Sequence, residues 1–218
     1  MKLVVGLLAL TLLSACAQTE FESCNCCGET QNVSTIQEIV NNENTYLASE
    51  GKDLLTQGLS CTVQAVSSGQ WLSSSSPGYN ASQGVLVLTG TSYPYLLTTA
   101  INQPNSNPGP NSVIAPAIQP LFLTNNYKIV CTGQLVVTQD GYHTFKLSSD
   151  DGSILTIDGT QVINNDGNHG ITTVSGTKLL ESAVTHTFSL QYAQSGNGPF
   201  ALVLDMDGAV LPAANLYH

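Results

Sequence analysis

Gly141-Tyr142-His143-Thr144-Phe145-Lys146-Leu147-Ser148-Ser149-Asp150-Asp151-Gly152-Ser153-Ile154-Leu155-Thr156-Ile157-Asp158-Gly159 decides the fold. Every second residue from His143 to Leu147 is apolar or aromatic, and so are Leu155 and Ile157. A period of two places such residues on one face of an extended strand. The two runs are split by Asp-Asp-Gly and closed by Asp-Gly, residues suited to tight turns. The reading is strand, turn, strand, turn, with His143, Phe145, Leu147, Leu155 and Ile157 facing a core.

The same grammar extends both ways. Tyr127 to Val137 alternates and ends at Gln139-Asp140-Gly141, a hairpin signal that makes Tyr142 to Ser148 its return strand. Val162-Ile163 forms a short strand, followed by the polar loop Asn164-Asn165-Asp166-Gly167-Asn168-His169-Gly170. Thr172 to Leu180, Val184 to Tyr192 and Phe200 to Asp205 supply three more strands. Upstream, Leu59 to Val66 reads as a strand, and Gly84 to Tyr95 contains another at Val85-Leu86-Val87-Leu88. Residues 103–112 read as a Pro/Asn/Gly loop. Many short strands with turns every 8–12 residues, and no strand–helix alternation, predict an all-β antiparallel sandwich.

Ahead of the strands the period changes. Ile36, Ile39, Val40 and Leu47 recur at helical spacing, with Ser34 placed as N-cap and Gln37 three residues on. The helical segment spans 34–56, interrupted at Gly51, with Leu54 and Leu55 prolonging its apolar stripe. Residues 16–33 form a Cys-bearing tether. Residues 1–15, with Lys2 and the apolar run Leu3 to Leu13, read as an export signal. Leu13-Ser14-Ala15-Cys16 resembles the bacterial lipoprotein cleavage box, which makes Cys16 the lipidated first residue of the mature chain and the membrane anchor. Ala17, in place of Asp, points by resemblance to the outer membrane. The expected location is the bacterial envelope, periplasmic or surface-facing.

Composition narrows the function. Of 218 residues only 9% are charged, and five positive residues, all Lys, face fifteen acidic ones for a net charge of −10. Nucleic acid is excluded as a partner, because phosphates require dense Lys/Arg. In an oxidising compartment Cys24, Cys26, Cys27, Cys61 and Cys131 are disulfide candidates. Cys61 and Cys131 each sit in a strand and form a plausible pair, while the odd count leaves connectivity open. The Cys24-Asn25-Cys26-Cys27 run matches no zinc spacing.

The stretch Gly133 to Asp205 resembles the PA-fourteen domain family, the β-sandwich named after a fragment of a toxin protective antigen. The run Gly141–Gly159 is similar to the family core G-x-Y-T-F … S-D-D-G … L-x-I-D-G, with His143 where the family has Tyr. His186-Thr187-Phe188-Ser189-Leu190-Gln191-Tyr192 is similar to its penultimate strand, Asn126 to Gly133 to its middle strand, and Gly58-Leu59 to its start. The resemblance implies a sandwich domain over 57–218.

Asp150 and Asp151 admit two readings. One is a turn whose carboxylates bond to local amides. The other is a calcium site, since calcium takes 6–8 oxygens. Neighbouring side chains in a trans strand point apart, and a cis bond would bring both carboxylates to one side. The family's lectin members use such a pair, with calcium bridging glycan hydroxyls and a loop Asn assisting. Here the Asn position holds Gln194, with Asn197 nearby. The implied metal set is Asp150, Asp151, Gln194 and Asn197, and the ligand candidates are Asp150, Asp151 and Asn197 together with Asp166 and His169, whose polar loop either flanks the site or, as is commoner, is simply solvated. Trp71, Tyr79, Tyr93 and Tyr95 are sugar-stacking candidates, although packing is the commoner role of such residues.

The expected function is a lipid-anchored binding module for carbohydrate, assisted by calcium. The alternative is a structural lipoprotein with a protein partner. An enzyme is not expected: the chain contains no nucleophile elbow, no His-Glu-x-x-His run and no phosphate loop.

Overall fold

The computed structural model describes residues 35–66, 72, 88–106, 127–195 and 200–218, with backbone alone at 65–66, 88–93 and 105–106. The signal segment, the tether with Cys16, Cys24, Cys26 and Cys27, and Ser34, Trp71, Tyr79, Val85-Leu86-Val87, the Tyr93 side chain and Asn197 lie outside the described residues.

Helix α1 spans Ile36–Ser49. Its cap is Thr35, whose hydroxyl accepts from Glu38 N at 3.2 Å, so the capping residue is displaced by one from the expected Ser34. The physical reason is that Glu38, not Gln37, then stands at the third helical position and places an acid in the positive first turn. The helix stops as a Schellman motif. Gly51 adopts φ +64, Gly51 N donates to Ala48 O, and Lys52 N donates to Leu47 O. The expected helical stripe through Leu54 and Leu55 is therefore absent. Those residues are extended, Leu54 is 50% exposed, and Leu55 is pinned by Asn44, which accepts from Leu55 N and donates to Leu55 O.

Two antiparallel sheets follow. The first contains β1 (Leu59–Val66), β2 (Leu88–Leu97), β4 (Tyr127–Val136), β6 (Ser153–Ile157), β7 (Thr160–Asn165), β9 (Thr185–Gln194) and β12 (Leu216–Tyr217). Its order is β2-β1-β4-β9-β6-β7, with β12 also on β4. The second contains β3 (Asn102–Ser106), β5 (Gly141–Asp150), β8 (Thr172–Leu180), β10 (Phe200–Met206) and β11 (Ala209–Val210). Its order is β11-β10-β5-β8, with β3 also on β10. The all-β sandwich read from the alternation is the observed fold.

The faces are as the period demands. His143, Phe145 and Leu147 are buried on β5, as are Leu155 and Ile157 on β6, and the four apolar side chains meet Phe188 and Leu190 of β9 in one core. Each large apolar side chain removed from water contributes about 1.5–3 kcal/mol. Cys61 and Cys131 are directly opposed on β1 and β4 and form a disulfide, as the strand reading suggested. Tyr95 packs against this core, with its hydroxyl 4.0 Å from Cys131 Sγ, so it is a packing residue and not a sugar platform.

One expectation needs correction in this part of the chain. Residues 103–106, read as loop, belong to β3. A Pro inside a run argues against a strand only when both edges are paired. Among the described residues β3 pairs on one side alone, with β10, where a missing N–H is tolerated.

α1 lies against the sandwich through a small second cluster. Ile39 and Val40 are buried with Val136, at the end of β4, and Tyr217. Val136 and Tyr127 occupy opposite ends of that strand, so α1 joins at one end of the sandwich.

Candidate functional site

The other end carries the Asp pair. β5 ends at Asp150, and the Asp150–Asp151 peptide bond is cis. Three elements converge there: the β5–β6 turn, the loop after β7, and the end of β9. Asp151 is 4% exposed and ties the other two together. Its Oδ1 accepts from His169 N at 3.1 Å and its Oδ2 from Ser195 N at 2.8 Å. Those two amides orient the carboxylate from both sides.

Beneath the pair lies a polar floor that the sequence reading missed. Ser149 and Ser153 hydroxyls meet at 2.7 Å, and Asn165 Nδ2 donates to Ser149 Oγ and Thr172 O. All three side chains are buried and all three are satisfied, as buried polar groups must be. Gly152 O accepts from Ala193 N at 2.8 Å, which fastens the turn to β9. Only the inward parity of residues 149 and 153, relative to Leu147 and Leu155, hinted at this floor.

Tyr192 closes the site from below. Its hydroxyl lies 2.5 Å from Asp150 O and also touches Gln194 Oε1. One proton cannot serve two acceptors. Turning the Gln194 amide over lets Nε2 donate to the phenol oxygen and leaves the phenol proton for Asp150 O. Gln194 is 4% exposed and committed to Tyr192. It thereby supports the Asp150 backbone through the phenol. Tyr127, opposite Gln194 on β4, tilts its ring 6.1 Å from that of Tyr192, and its hydroxyl is buried beside it.

Asp166 and His169, placed by sequence in a solvated loop or flanking the site, both join it. Asp166 is 2% exposed and accepts from Leu72 N at 3.2 Å. It sits against Gly152 so closely that a Cβ there would stand 2.5 Å from Asp166 Oδ1 and 2.8 Å from Gly167 N. The need for Gly in the turn is thus a close approach. His169 brings its backbone N–H to Asp151, and its ring nitrogens lie 2.9 Å from Gly170 O and 2.9 Å from Asn165 O. The remaining candidate, Asn197 after β9, lies outside the described residues.

Electrostatics distinguish the two carboxylates. Burial pushes Asp150 above the usual carboxylate range, opposed by the nearby His169. Burial also pushes Asp151 up; the amides of Ser195 and His169 oppose it, and the charge of Asp150 adds to it. Asp150's side chain makes no hydrogen bond among the described residues, whereas Asp151 makes two. Two adjacent carboxylates, both disfavoured as anions and one left unengaged, fit a hard divalent cation. Among the described residues no three His, Cys, Asp or Glu side chains converge on one point. A cation here would therefore depend on the two Asp side chains together with backbone or amide oxygens.

Asp150 and Asp205 stand on neighbouring strands but far apart along them. Ala201 is opposite Asp150 on β10 and Asp205 is opposite Lys146, which puts four residues, about 13 Å, between the two levels. Glycosidase carboxylates lie about 5–9.5 Å apart.

Comparison with known proteins agrees with this architecture. Residues 118–209 match the model of the PA14 domain. Among solved structures, the chain is similar to the PA14 domain of the antifreeze protein MpAFP, at 19% identity and a TM-score of 0.53, over 76% of this chain and 92% of that one. It is also similar to a PA14 sugar-binding domain from an RTX adhesin, at 17% identity and a TM-score of 0.51, over 75% of this chain and 99% of that one. At these identities the likeness speaks for the fold. A search of curated proteins finds no match. The matched segment, the Asp-Asp-Gly core within it and the two-sheet topology together show that this chain carries a PA14 domain.

Proposed function

We propose that this protein is a carbohydrate-binding module of the bacterial cell envelope, held by a lipid on Cys16 and binding glycan through calcium at Asp150 and Asp151. The observation that carries the reading is the pair itself: Asp150 unengaged among the described residues, Asp151 steered by two amides, both pushed up by burial. When bound, calcium would offset this paired charge and offer open coordination positions to vicinal sugar hydroxyls. The chain's own part is to hold the carboxylates rigidly, through the Ser149–Ser153–Asn165 floor and the Tyr192–Gln194 support.

Two further points support it. A structurally similar domain is described as sugar-binding. The helix that continues from the N-terminal region packs by Val136, while the Asp pair sits at the Tyr127 end of β4. Ten residues of strand separate those levels by about 30 Å. The α1 junction and the Asp pair are thus at opposite ends of the sandwich. Among the described residues no helix is long and apolar enough to cross a bilayer.

A second reading, a non-enzymatic lipoprotein that binds a protein partner, is favoured by one observation. Tyr142 and Leu179 stand opposite each other on β5 and β8 and are 77% and 56% exposed.

A glycan array with the mature domain lacking Cys16, run with calcium and with chelator, separates the readings. Chelator-sensitive binding to a defined sugar class, lost in Asp150→Asn, supports the module. Absence of binding by folded protein overturns it in favour of the protein partner.

A further inference from the structure

The end of the sandwich opposite the Asp pair contains the same device twice. On β5, His143 Nδ1 lies 2.6 Å from Asp207 Oδ2, Thr144 N donates to Asp207 Oδ1 at 2.9 Å, and Asp207 N donates to Thr144 O at 2.8 Å. On β9, His186 Nδ1 lies 2.8 Å from Asp158 Oδ2, Thr187 N donates to Asp158 Oδ1 at 2.9 Å, and Asp158 N donates to Thr187 O at 2.9 Å. Each Asp begins an Asp-Gly turn with positive φ at both residues, 50 and 69 at Asp158-Gly159, 55 and 88 at Asp207-Gly208. The sequence shows the repeat as His-Thr-Phe at 143–145 and again at 186–188.

The second ring nitrogen behaves alike in both. His143 Nε2 lies 3.0 Å from Gln139 O, and His186 Nε2 lies 2.9 Å from Glu181 O. The two turns bearing those carbonyls are joined, because Ser182 N donates to Asp140 Oδ1 at 2.6 Å. One chain of contacts therefore crosses between the sheets: Asp207, His143, the 139–140 turn, the 181–182 turn, His186, Asp158.

A carboxylate oxygen and a backbone carbonyl are acceptors only. A neutral imidazole has one N–H and one lone pair, so it can satisfy only one of the two. Both histidines are 7% exposed, and water has little access to fill the gap. We propose that His143 and His186 act as a paired, proton-dependent buckle, each held as an imidazolium between a carboxylate and a carbonyl, which fastens the two sheets at this end. Loss of the proton leaves a lone pair facing Gln139 O or Glu181 O and opens both turns.

The charged groups around each ring define the sign. Asp207 faces His143, and Lys178 opposes it across the β5–β8 pair. Asp158 faces His186, with Glu181 in the turn before it and Asp140 between the two units. Stability held by an imidazolium is present at acid pH and lost as pH rises.

The chain has four histidines, so ring-nitrogen NMR on uniformly labelled mature protein resolves them. The expected result is the doubly protonated signature for His143 and His186 in acid to neutral solution. Its loss on raising pH should track a fall in Tm of about 3–6 °C, measured in chelator, that the His143→Gln/His186→Gln protein lacks. A single protonated nitrogen on either ring at pH 6, or equal pH slopes in wild type and double variant, overturns the proposal. The NMR arm needs no variant, and the chelator keeps the result independent of the Asp pair.

Discussion

Asp150 and Asp151 are neighbours of identical chemistry that the structure treats differently. Asp151 is an anchor: removing its charge as Asp151→Asn sets an NH2 group against the amide of His169 or Ser195. An orphaned buried donor costs about 1–3 kcal/mol. Asp150 engages no side-chain partner among the described residues, and burial raises its pKa. A carboxyl with a raised folded pKa contributes stability below its unfolded pKa and loses it as pH rises through the folded one. Asp150→Asn should therefore melt no lower than wild type at pH 7 in chelator, and Asp151→Asn should melt lower. Calcium at 100 times its dissociation constant should stabilise wild type by about 2.7 kcal/mol and neither variant fully. Thermal melts with and without calcium check both. An equal calcium shift in Asp150→Asn would remove Asp150 from the site.

Among the elements, β7 and β8 close one side of the sandwich, and a single residue permits it. Gly176 on β8 is so near β7 that a Cβ would stand 2.2 Å from Val162 O and 3.0 Å from Ile163 Cγ1. The Val162 carbonyl is backbone and cannot give way as the end of a flexible side chain would. Gly176→Ala should destabilise by at least about 1–3 kcal/mol, read as a lower urea midpoint, and loosen the Asp166–Gly170 loop that β7 and β8 flank. The strands themselves were legible, because burial alternates along β5 and through most of β4 and β9. β11 and β12 are two residues each, too short for a period to register, and are held by their partners β10 and β4.

For the whole molecule, the disulfide and the two ends set the behaviour. Cys61–Cys131 closes a separation of 70 residues, and the chain-entropy model gives such a loop about 4 kcal/mol of stabilisation. Cys61→Ala/Cys131→Ala should lose on the order of that amount in chemical unfolding. A loss close to zero would mean the β1–β4 ladder alone restrains the unfolded chain. The cross-link joins adjacent strands of one sheet, whereas the histidine buckle and the Asp pair each tie segments of both. The Asp pair lies at one end and the α1 junction and the paired His–Asp contacts at the other. Changes to the buckle should thus alter stability with pH before they alter binding.

The sequence by itself determined the class of fold, the strand faces, the Asp-Asp-Gly turn and the pairing of Cys61 with Cys131 as a plausible bridge. These depend on local spacing, and a period of two or a turn residue is read within a few positions. Only the tertiary structure decided that Asp166 and His169 leave the solvated loop for the site, and that Gln194 turns inward to Tyr192. It also decided that His143 and His186, 43 residues apart by their numbering, share one network. Those outcomes rest on contacts between segments distant in the chain, whose geometry no local pattern encodes.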